Sequence, residues 1–265
     1  LAESLANDSF YGVREEAAKA LGKVKGDIAR DALLFGLSGN NAKVRRACAT
    51  ALGNFEHDSK VQDALRGKHS QGDVSYFVES SVLASLSKSL DEPPVDLLIA
   101  ALEKPSHRET IRLTALQQLA KSSDPAVQAV LLDWTKPGKP PLCRPEACRQ
   151  LVEFANQNLL PKPATDKIVK HLLELLDTSG PRMRGSIASA LGSLGNRASS
   201  AKTRLQELTK AEPNDWTRTS IKAAIDRIST PASDTAALTK LQKELDEARS
   251  HSRSLEERLF RLETP

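Results

Sequence analysis

Sulfur and aromatic rings are scarce in this chain. Three cysteines, Cys48, Cys143 and Cys148, are scattered over 265 residues, too few for a disulfide framework, and the step from Cys143 to Cys148 is not a chelating spacing on a helix. They read as small buried thiols of a reducing compartment, which favours a cytoplasmic location. Aromatic residues make up only 4% of the chain, so any core must be packed mainly by Leu and Ala. No apolar run is long enough to cross a membrane, and no signal-peptide pattern is expected among these residues. Neither sign of charge dominates: 38 Lys and Arg against 34 Asp and Glu leave a net charge of +4, spread along the chain, which disfavours nucleic acid as the partner.

Catalytic signatures are missing as well. His57, His69, His107, His171 and His251 are isolated, and no H-E-x-x-H pair exists to hold zinc. There is no G-x-S-x-G elbow, no phosphate-cradling Gly-rich loop and no dinucleotide fingerprint. No catalytic residue, cofactor or metal site is expected within this chain. Leu1 is not a start methionine, and the chain is expected to be a trimmed fragment of a longer one.

What is present is a recurring phrase: an aliphatic residue, Arg, then small residues at helical offsets, then Leu and often Gly. It occurs seven times, beginning at Val13, Val44, Val78, Ile111, Cys143, Met183 and Thr217, with spacings of 31, 34, 33, 32, 40 and 34 residues. One unit of that length is two short helices and two turns. Offsets 0, +4, +7 and +8 share one stripe of a 3.6-residue helix, so the phrase marks the inner helix of each hairpin. The preceding apolar clusters, such as Ala32–Leu34 or Val127–Leu132, supply the outer helix. Gly22, Gly53 and Gly192 are expected to close inner helices at a position of positive φ. Pro94, Pro125, Pro145 and Pro181 fall at or just before helix starts, where a missing N–H costs little. The fold class is therefore all-α: an α-solenoid of about seven helical hairpins over residues 1–228, then a linker at 229–233.

The Arg after the opening aliphatic recurs as Arg14, Arg45, Arg112, Arg144, Arg184 and Arg218, and only Glu79 breaks the row. Its stem can cover apolar surface while the guanidinium bonds carbonyls or carboxylates of the next repeat. It reads first as an inter-repeat spacer and second as a ligand-binding row. The stretch Trp134–Pro141 reads as the clearest irregular loop, with Trp134 as a plug of its hairpin core and Lys136 and Lys139 as a second candidate, a grip on an anion. Trp216 reads as another plug. The 40-residue spacing holds Asn156–Pro163, read as an expanded connection.

Residues 234–265 differ. Leu238, Leu245, Ser252 and Leu259 form one heptad row and Leu241, Ala248, Leu255 and Leu262 a second, the a/d pattern of a long coiled-coil-like helix. Leu238, Leu241, Leu245, Leu255, Leu259 and Leu262 are the candidate association seam, for self-association or for docking to a partner helix, with folding back along the solenoid as a cap or projection into solvent as the alternative.

The hairpin units resemble HEAT repeats over about residues 1–228. More narrowly, Asp8–Gly22, Ser106–Arg112 and Asp133–Pro140 resemble the C-terminal helical-repeat region of a bacterial branch of the aminopeptidase N family of zinc metallopeptidases. That resemblance implies a parent enzyme whose zinc and catalytic residues lie in an upstream domain, with this chain acting sterically or in assembly. An independent HEAT-repeat scaffold binding a protein or peptide is the alternative from the same residues. A nucleic-acid binder like the helical-repeat DNA glycosylases is a third, and predicts binding that weakens steeply with salt.

Overall fold

A computed structural model describes residues 1–230 of the chain. The heptad segment with its candidate seam, and most of the linker before it, lie outside the described residues. Every regular element among the described residues is helical: α1 (Ala2–Asn7), α2 (Tyr11–Val24), α3 (Asp27–Gly36), α4 (Ala42–Leu52), α5 (Ser59–Gln71), α6 (Tyr76–Ser89), α7 (Val95–Leu102), α8 (Thr110–Leu119), α9 (Ala126–Thr135), α10 (Cys143–Gln157), α11 (Lys162–Thr178), α12 (Pro181–Ser193), α13 (Lys202–Ala211) and α14 (Asp215–Ser229). They divide into two compact units, Leu1–Leu160 and a second that begins at Pro161.

In the first unit the even-numbered helices carry the recurring phrase and stack in sequence, α2 on α4, α4 on α6, α6 on α8 and α8 on α10. Each odd-numbered helix packs against its own inner helix. The stripe residues make the core: Val44, Cys48, Ala51 and Leu52 from α4 meet Leu21 and Ala17 from α2 and Val78, Val82 and Leu86 from α6. The second unit repeats the pattern with α12 stacked on α14, α11 against α12 and α13 against α14.

The starts of these helices follow local chemistry. Asn41, Asp58 and Asn214 accept backbone N–H bonds from Lys43, Val61 and Thr217, satisfying donors that the first turn leaves free. Pro181 opens α12 and Pro163 is in the first turn of α11, where no N–H is needed. Ahead of α8 the chain takes two successive left-handed residues, Arg108 (φ 52°) and Glu109 (φ 58°).

Three expectations are corrected here. Gly22 and Gly192 lie inside their helices, and Gly53 follows α4 with φ −62°, so none supplies positive φ. Their value is the missing Cβ. A Cβ on Gly22 would stand 2.7 Å from Ala51 Cβ, one on Gly53 2.8 Å from Ser85 Oγ, and one on Gly192 2.9 Å from Ala224 Cα. These are the points where one inner helix touches the next. Second, the 40-residue spacing is not a swollen connection: only residues 158–161 separate α10 from α11, and the added length is in the helices, 15 and 17 residues long. Third, Trp216 is no plug. It is 57% exposed and its six-membered ring rests against α12 at Gly185, where a Cβ would come within 2.4 Å of it.

Candidate functional site

Five arginines of the row, Arg45, Arg112, Arg144, Arg184 and Arg218, are seated by the same step. Where the outer helix ends, or in the turn after it for Arg45, backbone carbonyls lack intrahelical partners, and the Arg near the start of the following inner helix reaches back to them. Arg45 donates to Gly39 O (2.9 Å) and Asn40 O (3.0 Å), Arg112 to Leu102 O (2.7 Å), and Arg144 to Thr135 O (3.0 Å). Arg184 donates to Ser179 O (2.7 Å) and Arg218 to Glu212 O (2.8 Å). These carbonyls belong to the same hairpin as the arginine, not to the next one. Only Arg45 and Arg184 also reach forward, each onto a carboxylate 28 residues on, Asp73 (2.7 and 2.8 Å) and Glu212 (2.7 Å). Arg112 and Arg218 add carboxylates of their own helix approach, Glu109 (2.8 Å) and Asp215. Arg14 stands apart, with its Nε buried and unbonded.

Glu79 shows why the row tolerates a reversal of charge. Where the other copies donate to carbonyls, its Oε1 accepts the backbone N–H of Asp73 (3.1 Å). Asp73 itself is a node. Its side chain is 3% exposed and takes Arg45 together with Lys68 Nζ (2.9 Å), and also the Ser75 N–H (2.9 Å). Burial works to raise its pKa, but the hydrogen bonds from Arg45, Ser75 and Lys68 outweigh it and hold the carboxyl well below the ordinary range. Asp73 and Glu79, with Tyr76, Glu103 and Lys104, line a hollow of about 420 Å³.

A larger groove, about 590 Å³, runs between α2 and α4 and is lined by Glu15, Lys19, Lys23, Lys43, Arg46 and Asn54, among others. Several of these groups are held in place. Lys43 Nζ lies 4.7 Å from the Tyr11 ring centre, and the Arg46 guanidinium 5.0 Å from that of Phe77. Lys19 bonds Glu15 (3.1 Å) and Glu16 (2.7 Å). Beyond the groove, Lys88 donates to Asn54 Oδ1 (2.7 Å), and Asn54 donates to Gly22 O (3.1 Å), which continues the polar line from α2 to α6. Counting Lys19, Lys23, Lys43 and Arg46 against Glu15 and the adjoining Glu16, the groove keeps a surplus of cations. Sequence reasoning missed this groove because an overall charge of +4 spread along the chain conceals which turns face one another. The signal was available in the helical offsets: counted from Val13 and Val44, Lys19 and Lys23 stand at +6 and +10 and Lys43 and Arg46 at −1 and +2, which share one face of the helix.

Trp134 is buried, 5% exposed, with Lys139 Nζ 4.7 Å and the Arg112 guanidinium 5.8 Å from its ring centre. Lys136 and Lys139 both pair with Asp133, at 3.1 and 2.7 Å, so this loop answers its own charge instead of presenting two unpaired lysines. All three cysteines are buried and free. Burial pushes the thiols of Cys48 and Cys148 up to about 12 and that of Cys143 to about 11, which leaves them un-ionised. Among the described residues no three His, Cys, Asp or Glu side chains gather as a metal would require, and no helix is long and apolar enough to cross a membrane. The zinc implied by the aminopeptidase resemblance therefore has no set of ligands among these residues.

Residues 1–87 match the family profile of HEAT repeats. The match agrees with the helical-hairpin stacking, and the fold class is a HEAT-like α-solenoid. Similar solved structures include human deoxyhypusine hydroxylase in complex with glycerol, 21% identical, covering 84% of this chain and 81% of that one with a TM-score of 0.40. Another is the complex of CpcE and CpcF of phycocyanin lyase from Nostoc sp. PCC7120, 18% identical, covering 86% and 92% with a TM-score of 0.46. A third is an engineered protein, 17% identical, covering 87% and 97% with a TM-score of 0.40. No curated protein matches the chain significantly.

Proposed function

We propose that the chain is a non-catalytic interaction scaffold whose groove between α2 and α4 receives an acidic segment of a partner protein. The observation that carries this reading is the lining itself, in which Lys23, Lys43 and Arg46 stand beside Lys19, and of these only Lys19 is bonded to carboxylates, Glu15 and Glu16. Two of the cations rest on aromatic rings, so less side-chain entropy is lost when an anion arrives. The steering is electrostatic and the selectivity comes from sign: a basic segment meets like charge and is rejected.

Fluorescence anisotropy with a labelled Glu-rich peptide, a Lys-rich peptide and single-stranded DNA tests the reading. Saturable binding of the acidic peptide, lost in Lys43→Glu with Arg46→Glu, is expected. Equal or tighter binding of the DNA with a steep salt dependence would replace it with the nucleic-acid reading, and no binding of either anion would remove it.

The finer reading makes this scaffold the C-terminal domain of a zinc aminopeptidase, limiting access to an upstream active site or assisting assembly. It rests on the resemblance of Asp8–Gly22, Ser106–Arg112 and Asp133–Pro140, and none of the compared proteins supports it. Reading the gene upstream of the codon for Leu1 tests it: an H-E-x-x-H motif followed by a Glu ligand upholds it, and its absence discards it.

A further inference from the structure

Two forward-reaching arginine pairs define a position in the repeat. Asp73 stands five residues before Val78 and Glu212 five before Thr217, and each receives the Arg of the hairpin before it, Arg45 and Arg184. Each acid also fastens its own turn by accepting the N–H two residues on, Asp73 from Ser75 (2.9 Å) and Glu212 from Asn214 (3.1 Å). Asp8 stands five residues before Val13 and fastens its turn in the same way, accepting the Phe10 N–H (2.9 Å). No cation among the described residues pairs with it. The opening aliphatic of the phrase agrees. Val44, Val78 and Ile111 are 3%, 0% and 6% exposed where a preceding inner helix covers them, whereas Val13 is 43% exposed and Phe10 58%.

We infer that the face of the α1–α2 hairpin turned away from α3 and α4 is a repeat-stacking interface. Its occupant is a helical hairpin of the same phrase, whose arginine lands on Asp8 while its inner helix covers Val13. Continuity with the stacking inside the chain sets the shape of that partner, since the inner helices meet through small residues at close approach. The carboxylate sets its charge, because an acid at the edge of an apolar stripe selects a cation and penalises an anion. The groove between α2 and α4 is a separate surface, and neither proposal depends on the other.

The chain itself supplies the probe: a copy of residues 27–57, which carries α3, α4 and Arg45, joined directly ahead of Leu1. Hydrogen exchange and thermal melting are compared for the chain with and without the added copy. Amides of α2 around Val13 are expected to exchange about tenfold more slowly in the extended chain, and the melting temperature to rise. Asp8→Asn is expected to cost more stability in the extended chain than in the original. Changing the copied Arg45 to Gln should abolish that difference, as a direct pair requires. Unchanged exchange in α2, or an Asp8→Asn effect equal in both chains, overturns the inference; equality would mean that the acid serves only its own turn.

Discussion

Gly22→Ala is the sharpest test of inner-helix stacking, because two effects of opposite sign act on it and the structure says which is larger. On an open helix surface, replacing Gly by Ala stabilises by about 0.5–1 kcal/mol, since Gly carries the larger backbone entropy. At Gly22 the new methyl would stand 2.7 Å from Ala51 Cβ and 3.0 Å from Ala51 Cα. Neither atom is the end of a flexible side chain, so helices α2 and α4 must separate. Overpacking of this kind costs about 1–3 kcal/mol, and the net expectation is a destabilisation of about 1 kcal/mol. Gly67 is the control. It lies inside α5, in the same unit, and a Cβ there meets nothing within 4 Å, so Gly67→Ala is expected to stabilise by about 0.5–1 kcal/mol. Urea titrations of both variants, followed by circular dichroism, read the difference. A second change, Ala51→Gly, in the Gly22→Ala background is expected to recover part of the loss by returning the space. If Gly22→Ala instead stabilises as Gly67→Ala does, the two inner helices do not approach as closely as described, and the reasoning that assigns the recurring glycine to close contact fails.

Asp73→Asn is expected to cost on the order of 3 kcal/mol, because it leaves Arg45 and Lys68 without their buried counter-charge; chemical denaturation at neutral pH measures it. The Asp73 carboxyl is held below its ordinary range, so its contribution is fully present above about pH 4, the unfolded-state value, and is lost as pH falls through the lower folded-state value. The parent chain should therefore lose stability on acidification over that window more steeply than Asp73→Asn, and parallel acid titrations would refute the assignment. Trp134 and Trp216 are expected to separate under iodide quenching. Trp134→Phe leaves the quenchable, 57%-exposed Trp216, and Trp216→Phe leaves an emission that iodide barely reaches.

Much of the architecture was legible because helical periodicity is local. Offsets 0, +4, +7 and +8 in each phrase mark a buried stripe whatever the stripe rests on, and all seven phrases lie on inner helices. Prolines were legible for the same reason, since a missing N–H is a property of one residue. The sequence pattern also singled out Arg45 and Arg184, but the identity of their acids depends on which turn follows the next outer helix, a distance of 28 residues along the chain. Composition concealed the basic groove in a nearly balanced total of charges.

The residue sequence by itself determined the helical class, the hairpin period and the inner face of each helix, all set by backbone geometry and by the spacing of apolar side chains. Tertiary structure decided what those residues do to one another. The glycines serve contact instead of turning, five of the arginines bond backbone carbonyls at or just past the ends of outer helices, Trp134 is buried while Trp216 lies open, and four cations meet across α2 and α4. These outcomes depend on distances between repeats, and a distance between repeats is fixed only when the helices pack.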